Sequence, residues 1–150
     1  MSSNGFAALL EDRTLTGAKV ALFHQHTILC YKRDDFAHIP DPGCWDLPGG
    51  IREPGETILD CALREVREEF GISLSPQSLD HASRFVKFQP QRIEAVFVVG
   101  QIGQPAVGEI VFGDEGQCWE LMPVEQYISH PSGVRELQAC VAQFWGGLDG

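Results

Sequence analysis

Residues 49–72 read GGIREPGETILDCALREVREEFGI. Pro54 and Gly55 supply a turn, and Thr57 with Asp60 three residues on forms a capping box, so a helix should begin there. Gly71 tolerates the left-handed conformation that ends a helix. Between these limits Leu59, Ala62, Leu63, Val66 and Phe70 recur at steps of three and four, an apolar stripe that predicts a core-facing helix over 57–70. Glu65, Glu68 and Glu69 then gather on a separate face. Like charges at i, i+4 cost a helix about 0.2–0.5 kcal/mol per pair, and acidic residues in the last turn oppose the helix dipole by roughly 0.3–1 kcal/mol. Only Arg64 and Arg67 answer them on this helix. One reading is a solvated acidic surface. The other is a site for a hard divalent cation, because carboxylates three and four apart converge on one volume and Mg²⁺ takes oxygen ligands. The Pro48-Gly49-Gly50 turn suits the second reading, since a glycine lets its backbone carbonyl approach the same ion.

The rest of the chain limits what such a helix can serve. Its 150 residues suit one domain over 1–150, with a core that needs no disulfides. With 43% hydrophobic and 21% charged residues, the composition is that of a globular protein. No apolar run is long enough to span a membrane, and the first residues, MSSNGFAALLEDR, lack the basic and apolar regions of a signal peptide. A cytoplasmic protein is the expectation. The five cysteines are scattered and form no CxxC pair, as expected of reduced thiols rather than a zinc site. His24 and His26 alternate along a strand without a third ligand nearby in sequence. A formal charge of −10 argues against duplex nucleic acid as partner. It leaves room for a small phosphorylated ligand, because a metal ion can supply positive charge locally.

Outward from the helix, residues 18–23 and 27–31 read as strands of a hairpin, and residues 32–44, with two prolines and a glycine, as a loop. RFVKF (84–88) and IEAVFVVGQ (93–101) read as two strands joined by a turn at 89–91. EIVF (109–112) and CWELM (118–122) read as two more, joined by the acidic loop GDEGQ. Val134, Leu137, Cys140, Val141 and Phe144 predict a C-terminal amphipathic helix. Strands on both sides of a central helix, with another helix at the end, imply a mixed α/β or α+β sandwich.

From Gly50, the order is five residues, Glu56, seven residues, then Arg64-Glu65-Val66-Arg67-Glu68-Glu69-Phe70-Gly71-Ile72. This resembles the Nudix box, G-x5-E-x7-R-E-U-x-E-E-x-G-U with U aliphatic, and all nine specified positions match. The resemblance implies an α/β/α sandwich with a mixed sheet and the box as a loop–helix–loop. It also implies Mg²⁺-dependent hydrolysis, with Mn²⁺ as a substitute, of a diphosphate in a nucleoside diphosphate derivative. Carried onto this chain, Glu65, Glu68 and Glu69 are metal ligands with the Gly49 carbonyl assisting. Glu56 and Arg64 are an ion pair that fixes the loop to the helix.

The family often adds an acidic group from a late loop, which here points to Glu115 over Asp114 and Glu120. Glu65, Glu68 and such a loop residue are all candidates for the general base. Trp45 either borders the nucleoside pocket or belongs to the core. Phe36, His38, Arg84, Lys87 and Arg92 are candidate base or phosphate contacts. Pro90 lies slightly off the position where the ADP-ribose branch carries a proline.

The short form is most similar to the type that cleaves (d)NTPs or modified nucleotides. Nucleotide sugars including ADP-ribose, dinucleoside polyphosphates and RNA caps are the alternatives, and a non-catalytic nucleotide sensor is another. Homodimers are common in the family.

Overall fold

The computed structural model describes residues 3–88 and 91–149, so Gln89 and Pro90, with the sequence-based expectations attached to them, lie outside it. The chain runs α1 (Ser3–Glu11), β1 (Gly17–His24), β2 (Thr27–Lys32), β3 (Trp45–Asp46), β4 (Gly49–Ile51), α2 (Ile58–Phe70), a 3₁₀ turn at Pro76–Ser78, β5 (Leu79–Lys87), β6 (Ile93–Gln101), α3 (Gln104–Gly108), β7 (Cys118–Pro123), α4 (Val124–Ser129) and α5 (Arg135–Asp149). One mixed sheet has the order β3-β2-β1-β6-β5, with β4 added to β1 and β7 to β2. Among the described strands β1 and β6 pair in parallel, with Ala18 opposite Val96 and Leu22 opposite Gly100. The other pairings are antiparallel.

Strand parity builds two cores. Val20 and Leu22 of β1, Leu29 and Tyr31 of β2, and Val96 and Val98 of β6 face α1 and α2. Their neighbours Ala21, Phe23, Ile28, Cys30, Phe97 and Val99 face α4 and α5. With side chains alternating between faces, a sheet covered on both sides must be apolar at nearly every position, and these strands are. This is the α/β/α sandwich that the resemblance implied.

The central helix is built as its sequence dictates. The Thr57 hydroxyl accepts from the Asp60 N–H while the Asp60 carboxylate accepts from the Thr57 N–H, each at 3.0 Å. Gly71 ends the helix at φ 69°. Ile58, Cys61, Ala62, Val66 and Phe70 are buried, and Leu59 and Leu63 pack at the margin.

Residues 109–112 are not a strand. The N–H groups of Val111 and Gly113 donate to the carbonyls of Phe70 and Glu69 at 2.9 and 2.8 Å. They thereby satisfy acceptors that the end of α2 leaves open. The loop 113–117 therefore descends from the end of the acidic helix instead of capping a hairpin. The short helices α1, α3 and α4 carried no sequence-based expectation. The first was read only for targeting signals, yet its Phe6, Leu9 and Leu10 complete the first core.

Candidate active site

Arg64 organises the turn between β4 and α2. Its Nε donates to Glu56 Oε2 at 2.7 Å and its Nη2 to Glu56 Oε1 at 3.0 Å, a two-pronged pair. Nη2 also reaches the Ile51 carbonyl at 3.1 Å, and Nη1 reaches Glu65 at 2.7 Å and Glu68 at 3.2 Å. The hydrogen bonds from Arg64 hold the Glu56 carboxyl below the usual carboxylate range, and the same bonds raise the guanidinium further. The loop is thus tied to the helix through one half-buried cation.

The three helix carboxylates have different surroundings. Glu68 is exposed, its side chain at 55%. Glu65 is half-buried, and burial raises its carboxyl despite the adjacent Arg64. Glu69 is turned inward and accepts the Gly49 N–H at 2.9 Å. Burial pushes its pKa to about 8, against the opposing pull of that N–H and of Lys19. The folded Glu69 therefore holds a proton over a range where the unfolded chain, at about 4.5, has lost it. Its contribution to the stability of the metal-free protein is complete below about pH 4.5 and is lost as pH rises through about 8. Thermal midpoints measured in chelator should fall across that window, and Glu69→Gln should flatten the fall.

Gly49 and Gly50 play separate parts. A Cβ on Gly50 would lie 2.0 Å from Glu65 Oε2, so the carboxylate occupies the space of the missing side chain. A Cβ on Gly49 would lie 2.1 Å from the Ala18 carbonyl oxygen of β1, and Gly49 has φ 140°. Gly50→Ala should keep the thermal midpoint within a few degrees, because the obstacle is the end of a flexible side chain. It should still displace Glu65 and lower turnover. Gly49→Ala should unfold far more easily: such a backbone conformation costs an ordinary residue about 1–3 kcal/mol before any clash. Melting curves of the two variants separate these effects.

Beside the box lies an ion cluster that sequence reasoning missed. Asp46, only 2% exposed, accepts from Lys19 Nζ and Arg33 Nη1, each at 2.9 Å, and from the Tyr31 hydroxyl at 3.3 Å, all on Oδ2. Its Oδ1 accepts the Leu47 N–H at 2.7 Å. Burial alone would raise this carboxyl, but Lys19, Arg33 and the Leu47 N–H outweigh it and hold it below the ordinary range. A signal was present in the sequence. Lys19 is a charge inside an apolar strand, and Asp46 sits between Trp45 and Leu47.

Two adjoining cavities share Tyr31, Glu65, Glu69 and Glu115. One, of about 290 Å³, is acidic, lined by those residues with Glu68, Phe112, Gly113 and Asp114. The other, of about 300 Å³, runs from Gly49 and Gly50 past Lys19, Arg33 and Asp46 to apolar walls of Phe85, Ala95, Val134 and Leu137. Glu115 also lines a third hollow with Phe36 and Arg33. Glu120 lines none of the three; it lies on β7 opposite Cys30.

Of the expected substrate contacts, Lys87 lines the larger cavity, paired with Asp41 and, at 3.6 Å, with Glu136. Arg84 does not line it. Three residues apart on β5, the two side chains emerge on opposite faces, and Arg84 lies exposed on the side of Asp12. Arg92 is exposed beside Glu94. Phe36 stacks on His38 at the rim of the third hollow.

Trp45 lines none of the three cavities. It packs against the second core near His130, and its backbone bonds to Ser132 and Val134. It is partly buried at the margin of that layer, where its backbone bonds to the segment before α5 hold it.

Among the described residues no three His, Cys, Asp or Glu side chains converge closely enough to hold a metal ion. Glu65 and Glu68 are turned to Arg64 and Glu69 to the Gly49 N–H. The donor set nevertheless suits a hard divalent cation. Glu65, Glu68, Glu69 and Glu115 line one cavity and offer only oxygen. Burial disfavours the Glu69 carboxylate, and a cation beside it would favour that ionised form.

A NUDIX domain family model matches residues 13–144. The chain is 35% identical to an ADP-ribose pyrophosphatase of Methanocaldococcus jannaschii over 80 residues, 52% of this chain and 45% of that protein. It is 51% identical to human 8-oxo-dGDP phosphatase NUDT18 over 37 residues, 25% of this chain and 12% of that protein. It thus spans less than half the length of these curated relatives. A MutT protein from Methanosarcina mazei Go1 has the same fold, with TM-score 0.74 and 19% identity, covering 91% of this chain and 96% of that one. No helix among the described residues is long and apolar enough to cross a membrane. With the box built as a loop and helix tied by Arg64, and the family model matching nearly the whole length, the chain belongs to the NUDIX domain family.

Proposed function

We propose that this protein is a pyrophosphohydrolase that cleaves the diphosphate linkage of a nucleoside diphosphate derivative, with Mg²⁺ as its metal and Mn²⁺ as a substitute. Nucleoside or deoxynucleoside triphosphates, or modified nucleotides, are the substrates this reading favours, and the cytoplasm is the compartment. One observation carries it: a cavity lined chiefly by Glu65, Glu68, Glu69, Asp114 and Glu115 adjoins a second cavity that Lys19, Arg33 and Lys87 line together with apolar walls. That order matches a nucleotide, whose phosphates need charge and whose base needs an apolar slot.

Glu65, Glu68 and Glu69 would hold the metal, with Glu115 and the Gly49 carbonyl completing the set. A bound divalent ion neutralises diphosphate oxygens and lowers the pKa of an attached water. The chain's own part is positioning. Arg64 and Glu56 fix the loop so that Gly50 leaves space for Glu65. Glu115 makes no hydrogen bond or ion pair among the described residues, whereas Glu65 and Glu68 are engaged with Arg64. Glu115 is thus free, as ligand or as acceptor of the water's proton, without giving up a partner.

The relatives named above act, by their names, on ADP-ribose and on 8-oxo-dGDP. Both belong to the class proposed here. Mass analysis of products from dNTPs, oxidised nucleotides, ADP-ribose, other nucleotide sugars and dinucleoside polyphosphates, with Mg²⁺ and with chelator, tests the reading. Metal-dependent cleavage of one class supports it. Ligand-induced thermal shifts without cleavage of any member, the protein being folded and Mg²⁺ present, would replace the enzyme with a nucleotide sensor.

A further inference from the structure

Two cations share one buried carboxylate at Asp46. One carboxylate would be neutralised by one cation, yet both Lys19 and Arg33 bond to the same Asp46 oxygen. Asp46 alone does not match both, and the other acids acting on them, Glu65 and Glu69 on Lys19 and Asp41 on Arg33, do so without a hydrogen bond to either cation.

The two cations differ in what they have left to give. Arg33 also donates through Nε to the Pro40 carbonyl at 2.8 Å, tying the 33–44 loop down. Lys19 gives one N–H to Asp46 and one to the Leu47 carbonyl at 3.2 Å. An ammonium has three donors. Among the described residues no acceptor takes the third, although Lys19 lines the larger cavity and its side chain is only 21% exposed. Its place is also fixed from behind, since Lys19 pairs with Gly49 across β1 and β4. The ammonium thus stands between the carboxylate cavity and the apolar walls.

We propose that Lys19 is a substrate-contacting residue whose third N–H binds a phosphoryl oxygen of the nucleotide, and that buried Asp46 is the positioning residue that aims it. This rests on the reading of the cavity as a nucleotide site, but not on hydrolysis. Asp46 and the Leu47 carbonyl hold the ammonium in one orientation, so that the third donor needs no reordering when the anion arrives. A phosphoryl oxygen then accepts that N–H as a charge-assisted hydrogen bond.

The test separates phosphate binding from metal and from turnover. In chelator, calorimetric titrations compare the four common deoxynucleoside monophosphates with their parent nucleosides. The wild type should bind at least one monophosphate about tenfold or more tightly than its nucleoside. Lys19→Met should erase that preference while leaving nucleoside affinity unchanged, and Lys19→Arg should keep part of it. Asp46→Asn should also weaken the preference with Lys19 still present, which a merely structural carboxylate would not do in a folded variant; circular dichroism establishes the folding.

Absence of the preference in the wild type, or its survival in Lys19→Met, overturns the proposal. If the preference depends on Lys19 but no substrate is cleaved with Mg²⁺, the Lys19 assignment stands and the hydrolase reading falls. If cleavage is found and Lys19→Met keeps the preference, the reverse holds.

Discussion

Glu68→Gln is expected to lower metal-dependent turnover by about 10²–10⁴-fold, the range typical of losing a positioned acid–base or ligand group, while the fold survives. The second half of that expectation follows from exposure. Glu68 is the outermost of the three helix carboxylates, and its one ion pair, to Arg64 at 3.2 Å, lies on the surface. Exposed pairs at i, i+4 contribute about 0.3–0.5 kcal/mol, and removing the charge also relieves repulsion from Glu65. The two terms nearly cancel, so the thermal midpoint in chelator should stay within a couple of degrees of wild type. Added Mg²⁺ should then raise the midpoint of the wild type but not that of the variant. Turnover equal to wild type would remove Glu68 from the metal site; a collapsed midpoint would mean that the assay had measured unfolding.

The parts of this molecule that could be read from the chain are those governed by local rules. The helix over 57–70, its capping box and its Gly71 end each follow from neighbours within four residues, and all appear where the sequence places them. The β1–β2 hairpin and the C-terminal helix were legible for the same reason. What escaped depends on partners distant in sequence. Residues 109–112 have strand-like composition, but their N–H groups are taken by the end of α2, some forty residues earlier. Asp46 finds Lys19 and Arg33, 27 and 13 residues away. Arg84 and Lys87 show a subtler loss. Both look like candidate phosphate contacts in a basic segment, yet strand parity sends them to opposite faces, and only Lys87 lines the cavity. That separation could have been argued from spacing alone once the segment was read as a strand.

Asp46→Ala is expected to be strongly damaging although it lies outside the cores, at about 3 kcal/mol, the lower end for breaking a buried ion pair. The lower end applies because Lys19 and Arg33 keep side-chain exposures of 21% and 22%, so water reaches the cations once their partner is gone. Tyr31 also loses a partner: its ring is buried beside Phe70 and Phe112, and its hydroxyl gives up the Asp46 acceptor. For a domain of this size the loss corresponds to a fall of roughly 6–12 °C in thermal midpoint. Asp46→Asn should lose less, because an amide oxygen can still accept one of the three donors. The cause is separable from simple loss of packing. If the damage comes from stranded positive charge, Lys19→Met should cost less in the Asp46→Ala background than in the wild type, since it removes one of the cations left unpaired. Strict additivity of the two changes, or a midpoint for Asp46→Ala within 2 °C of wild type, would mean that Asp46 does not hold these cations in solution. The orientation proposed for the third Lys19 donor would then have no foundation.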